Sequence, residues 1–243
     1  MRKGMCMDLL KSAVQKMLEG QELLEVDPDT GMVIIPNGAL GPLTDGIPLE
    51  RILNTEEDLL GFYTPMASPG TITLCSQNLR AFFWHLVFQL SNNRRLPIMK
   101  ADLASVADLV VSKTYHHEYF HFFCDIQRKL FPGSEYDFQI EEALAVAHSY
   151  ACISRGRDNK STKFGRMGNV IYPALMVEAF KYNSAGYRDW ILYSDDIRFD
   201  AGLYNYISPP NSGLLQSNGI NVSVLLRAQL DKIYSFGVLH SLI

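Results

Sequence analysis

The sequence is short of the features that mark a partner of polyanions. Lys and Arg together number 22 against 26 Asp and Glu, a formal net charge of −4. Bulk electrostatics therefore offer no attraction to nucleic acid or to an anionic membrane surface. Long apolar runs are also missing, and no stretch approaches the ~20 residues that span a bilayer. The opening Met1-Arg2-Lys3 carries the charge of a signal-peptide start. The stretch Asp8 to Lys16, however, is broken by charges and fits an amphipathic helix instead. Cysteine is scarce, with four residues, Cys6, Cys75, Cys124 and Cys152, and no CxxC pair. Zinc ribbons and thioredoxin-like redox sites are thereby left out, and reduced thiols in a cytoplasmic protein are expected. Internal repeats and low-complexity tracts are absent as well.

What is present is an ordinary globular balance. Of 243 residues, 47% are hydrophobic and 20% charged, enough to bury a core without staples. Residues 1–243 are read as one domain, with a core over about 70–155, an N-terminal region of helix, hairpin and loops over 1–69, and a C-terminal subdomain over 167–243. A helix is expected over 8–19. Asp27-Pro28-Asp29-Thr30-Gly31 has turn chemistry between two short apolar runs and predicts a β-hairpin. A short helix is expected near 55–61, and Gly70 to Cys75 reads as a strand.

Ser76 or Asn78 is expected to cap a helix through Leu90, and Asp102 one reaching about Leu130. Another helix should run from Tyr136 to Ile153, stopping before Gly156, and a further one over 173–183. Arg155 to Arg166 is rich in basic residues and reads as a solvated loop. Ile220 to Leu226 is strand-like by composition, although helix is an equal alternative at the chain end. The fold class is α+β with helices dominating and a small mixed sheet.

Chemistry is concentrated in His117-Glu118-Tyr119-Phe120-His121, an HExxH pattern. Residues i and i+4 of a helix lie on one face, one turn apart, so both imidazoles can address one cation. Glu118, next to the first ligand, can act as general base on a metal-activated water. Tyr119, Phe122, Phe123, Ile126 and Leu130 form an apolar stripe that anchors the same helix in the core. A catalytic zinc site needs a third protein ligand and an open position. Ile140-Glu141-Glu142-Ala143-Leu144-Ala145 supplies carboxylates on the next helix, with twenty residues between His121 and Glu142. That helix is apolar nearly all round, and a buried carboxylate needs a partner. His148 is a spare ligand candidate, and Cys124 lies three residues beyond His121.

The HExxH pattern with Glu142-Ala143-Leu144-Ala145 behind it resembles the gluzincin metallopeptidases, the thermolysin-like and zinc-aminopeptidase groups, over roughly residues 70–155. The resemblance implies a zincin-like core with two adjacent zinc-ligand helices. It also implies Zn2+ on His117, His121 and Glu142, Glu118 as general base, and a protein or peptide substrate. By the same analogy the strand at Gly70–Cys75 would be the edge strand that receives an extended substrate. Two departures stand out. Val146 occupies the position where the thermolysin-like group has an Asp that orients a ligand histidine, so that support must come from elsewhere. The Gly-containing substrate motif of the aminopeptidases is not seen. A zinc peptidase, an endopeptidase by that last departure, is the function expected. A silent zincin-fold scaffold and a non-peptidase zinc amidohydrolase are the alternatives. Oxyanion stabilisation is expected from Tyr182, Tyr187, Tyr193, Tyr204, Tyr206 or His240, which the residues alone do not separate.

Overall fold

The computed structural model describes residues 2–21, 24–34, 59–65, 70–130, 136–158, 168–207, 222–232 and 239–243. It is α+β with helices dominating. In chain order come α1 (Arg2–Met17), β1 (Glu25–Val26), β2 (Val33–Ile34), β3 (Gly61–Thr64), β4 (Thr71–Leu74) and α2 (Ser76–Phe88). A π-helical turn, Gln89–Asn93, extends α2. Next come α3 (Lys100–Leu130), α4 (Phe138–Asp158), α5 (Ile171–Ala179), a 3-10 segment (Tyr187–Tyr193), α6 (Asp196–Ile207), α7 (Val222–Lys232) and β5 (Leu239–Leu242). Among the described residues no helix is long and apolar enough to cross a membrane.

The hairpin expected at 23–36 forms as β1 paired antiparallel with β2. Its turn is held by Asp27, whose Oδ1 accepts from the N–H groups of Asp29 and Thr30 at 2.8 and 3.1 Å. Gly31 takes φ +70, which a side chain would resist. The second sheet has the order β3-β4-β5, with β3 antiparallel and β5 parallel to β4. This corrects two expectations. Residue 61, assigned to a short helix, begins a strand, while 55–58 lie outside the described residues. The strand at Gly70–Cys75 is the middle of its sheet, not an edge. Ile72 and Leu74 are fully buried there, which is the reason their β-branched and apolar character was so legible.

Helix starts differ from expectation in detail. Cys75 is the N-cap of α2 and makes no side-chain cap; Asn78 instead donates to the carbonyl of Leu59 at 2.8 Å. Asp102 lies inside the first turn of α3 and accepts from the Met99 N–H at 2.9 Å, reaching backwards over the helix start. For α4 the cap is Asp137, which accepts from Gln139 and Ile140 at 2.8 and 3.3 Å. That helix does not stop before Gly156 but runs on to Asp158. The first four residues of the basic stretch, 155–158, therefore belong to the helix and not to a loop, and the remainder, 159–166, lies outside the described residues. The strand-like stretch Ile220 to Leu226 is helix from 222 onwards, its first two residues lying outside the described ones, and a strand at 239–242 was not expected.

The 31-residue α3 spans roughly 46 Å at 1.5 Å per residue and is the axis of the molecule. Tyr119, Phe122 and Phe123 are buried as the stripe requires, but the stripe fades at its end, where Leu130 is 61% exposed. Helix α4 runs antiparallel beside it. Ser149 donates to the Lys113 carbonyl at 2.8 Å near one end of the pair, and His121 meets Glu141 at 2.8 Å nearer the other. Leu144, Ala145 and Val146 are fully buried, so α4 has apolar contacts on several sides, as its composition demands. Helix α2 brings Phe83, Trp84, Leu86 and Val87 into the same core.

Candidate metal centre

The antiparallel pairing of α3 and α4 puts three donor atoms at one point. His117 and His121, one turn apart on α3, bring their Nε2 atoms to 3.2 Å. Glu142 of α4 places Oε2 at 3.1 Å from His117 Nε2 and 3.4 Å from His121 Nε2. A tetrahedral zinc with bonds of about 2.0–2.1 Å has ligand–ligand edges of roughly 3.3–3.4 Å, so the three atoms already form one face of such a polyhedron. Glu142 Oε2 is buried, and the two imidazole nitrogens at ion-pairing distance are the groups that face it there; a cation between the three atoms would satisfy all of them at once. The donor set therefore fits zinc.

The two adjacent glutamates have separate tasks. Glu141 points along the side of α3 and is almost fully buried, 2% exposed. Its Oε1 accepts from His121 Nδ1 at 2.8 Å, which fixes the imidazole tautomer and leaves the Nε2 lone pair free for a cation. Its Oε2 accepts from Arg128 and from the Tyr206 hydroxyl. Arg128 also donates to Tyr206 at 2.8 Å. The support lacking at Val146 thus comes from the residue just before the ligand. Arg128 lies seven residues beyond His121, two helical turns along the same face, a spacing visible in the sequence. Tyr206 arrives on α6, and no sequence signal linked it to Glu141.

Electrostatics follow the geometry. Burial pushes the Glu142 carboxyl up, but His117 and His121 outweigh it and hold it well below the carboxylate range. Burial favours neutral His121, yet the carboxylates of Glu141 and Glu142 prevail and push it up to about 10. A cation at this point would compete with the imidazole proton for one place, so its binding would release protons.

Glu118 does not join the three donors. It is 5% exposed, and burial raises its carboxyl against the opposing pull of His117 and His121. It accepts the backbone N–H of Tyr63 in β3. Leu60 carbonyl accepts from Cys75 at 2.9 Å, so Leu60 faces β4 and the period-two alternation turns Gly61 and Tyr63 outwards. Glu118 thus meets the outer edge of β3. Close approach is needed: a Cβ on Gly61 would lie 2.8 Å from Thr114 Cγ2 and 2.9 Å from the Thr73 carbonyl oxygen.

Of the aromatic candidates, Tyr187 is the one at the site. Its ring stacks on His117, with centroids 5.6 Å apart and 17° between planes, and its hydroxyl is within reach of the Glu142 carboxylate. Gly186, at φ +81, makes the turn that delivers it; a Cβ there would come within 3.2 Å of the Gln139 carbonyl oxygen on α4. Tyr182 packs behind Tyr187 at 5.4 Å. Tyr193 lies against Gly202, and His240 contacts Tyr115 at 3.3 Å. Cys124 is fully buried on the Glu141 side, where burial raises its thiol well above its usual value; it is not among the converging donors. His148 is likewise not at this site. Comparison with family models, curated proteins and solved structures gives no match to the chain.

Proposed function

We propose that the protein is a zinc-dependent peptidase of gluzincin-like type, with a zincin-like core in which His117, His121 and Glu142 hold the ion. One observation carries the reading: three donor atoms meet 3.1–3.4 Å apart, with the carboxylate of Glu118 buried beside them on the residue next to the first ligand. A cation that only held the fold together would have no use for that fourth group.

Bound there, Zn2+ polarises a carbonyl and lowers the pKa of a water toward ~7. Glu118 accepts the proton of the attacking water and passes it to the departing amine. Its burial, which raises the carboxyl, makes it the stronger base. Glu141, backed by Arg128 and Tyr206, keeps His121 from rotating or changing tautomer. Tyr187 is positioned to donate to the oxyanion that develops as the peptide carbonyl is attacked. Cys75, Cys124 and Cys152 form no disulfide, which suits a reducing compartment such as the cytoplasm.

The test pairs zinc content with cleavage of a quenched-fluorescent peptide library, on protein purified without a histidine tag. Glu142→Ala is expected to lose one equivalent of zinc relative to wild type, and activity with it. Glu118→Gln is expected to keep wild-type zinc and lose activity by about 10²–10⁴-fold. Equal zinc in folded wild type and Glu142→Ala overturns the site. Zinc loss in that variant, with no peptide cleaved by wild type, leaves a scaffold or a hydrolase of another amide.

A further inference from the structure

A second meeting of metal-binding side chains joins the same two helices. His116 on α3 and His148 and Cys152 on α4 bring one ligand atom each to within 4.8 Å of one another. None of the three belongs to the centre already described. His148 and Cys152 stand four residues apart on α4, one turn, so both side chains leave the helix in one direction. His148 Nε2 is 3.6 Å from Cys152 Sγ. A tetrahedral zinc with a sulfur at ~2.3 Å and a nitrogen at ~2.0–2.1 Å has an S···N edge of roughly 3.5–3.6 Å. The observed pair is already at that separation. His116 comes in from the opposite helix, its ring edge-on to that of His148 at 6.2 Å and 84°.

The surroundings suit a partly buried cation site. His148 is 5% exposed and packed between the rings of Phe120 and Phe199, at 5.7 and 6.3 Å. His116 and Cys152 are only partly buried, so the cluster is open to an ion from solvent. As ligands to one cation the same three groups are strong donors. Two imidazoles and a thiolate select a borderline-soft ion. They do not suit calcium or magnesium, which take oxygen ligands.

We propose that His116, His148 and Cys152 form a second zinc site, which cross-links α3 to α4 six to ten residues along α4 from Glu142. At 1.5 Å per residue the two α4 ligands lie roughly 9–15 Å along the helix from Glu142. Cys152 binds as the thiolate, so each cation taken up releases the thiol proton to solvent. The ion would fix the register of α3 against α4, on which the meeting of His117, His121 and Glu142 depends. The inference stands whether or not the first centre is catalytic.

Cobalt(II) reads the two sites separately, because only a thiolate ligand gives an intense sulfur-to-cobalt charge-transfer band in the near ultraviolet. Metal-free wild type titrated with Co2+ is expected to develop this band. Glu142→Ala should retain it, and Cys152→Ala should lose it while still binding one equivalent. A parallel measurement needs no variant: Zn2+ added to wild type should protect Cys152 from alkylation, read by peptide mass spectrometry. No charge-transfer band in folded wild type with Co2+ in excess overturns the proposal. So does a band that persists in Cys152→Ala, or Cys152 labelling unchanged by Zn2+. Loss of one equivalent in Glu142→Ala with the band intact reports on the first centre alone, so failure of either site is seen independently of the other.

Discussion

Replacing Glu141 by Gln keeps the side chain's shape and removes its charge. The structure makes the consequence calculable. In the native arrangement one carboxylate oxygen accepts from His121 Nδ1 at 2.8 Å, and the other accepts from Arg128 and Tyr206. An amide cannot serve both sides. If its oxygen faces His121, its NH2 group confronts the guanidinium of Arg128, which has only donors. If it is flipped, the NH2 faces His121 Nδ1 and drives the imidazole proton to Nε2, the atom aimed at the cation. Loss of such an orienting partner costs about 10–100-fold in metal affinity, or about 1.4–2.7 kcal/mol.

A competition titration of Zn2+ against a chromophoric chelator measures this directly, with Glu142→Gln alongside. Glu141→Gln should bind zinc at the first centre more weakly, whereas Glu142→Gln should lose that equivalent. Wild-type affinity in Glu141→Gln refutes the orienting role, and total loss there with retention in Glu142→Gln refutes the assignment of the two glutamates. The pH dependence of stability gives a second reading on metal-free protein. Burial raises the Glu141 carboxyl, but His121 and the other partners prevail and hold it below its ordinary value of 4.5. A carboxyl lowered by folding stabilises above that value and ceases to do so as pH falls through the folded pKa. The stability gap between wild type and Glu141→Gln should therefore be full above pH 4.5 and close in acid.

Two further substitutions test the frame around the centre. Lys113 is 4% exposed, its ammonium 4.4, 4.9 and 5.5 Å from the ring centres of Phe82, Tyr182 and Phe180, and burial pulls its pKa from 10.5 down to about 7. The folded state then binds fewer protons than the unfolded one between pH 7 and 10.5, so the lysine's penalty is full below 7 and disappears as pH rises to 10.5. Lys113→Met should raise stability at pH 7 by about 1–3 kcal/mol, the three rings offsetting part of the penalty, and should flatten the rise of stability over that window in denaturant titrations; a destabilised variant would contradict this. Gly61→Ala should destabilise by about 1–3 kcal/mol through overpacking on Thr114, and should reduce kcat more than metal content as β3 is pushed away from Glu118; unchanged stability and activity would show the contact to be loose.

Helix spacing in the sequence was enough to bring together most of the candidate donors. His117 and His121 had to share a face because the helix repeat puts residues four apart one turn from each other, and the aromatic residues around them made a buried helix of that stretch. Glu142 was legible because a carboxylate in a helix apolar nearly all round needs a partner. Local chemistry likewise specified the Asp27–Gly31 turn and the strand at 71–74. Only the tertiary structure decided what each of the paired glutamates does, because that depends on the rotation of α4 against α3, a packing relation no spacing encodes. It also decided that Tyr187 rather than five other candidates stands on His117, that Tyr206 and Arg128 brace Glu141, and that β3, a four-residue strand too short to carry a periodic signal, presents its edge to Glu118. Ile220 to Leu226 was ambiguous because its composition suits a strand while a helix was an equal alternative; from 222 on it is helix, packed against α6 with Arg227 ion-paired to Asp196 and Asp200 at 2.7 and 2.9 Å.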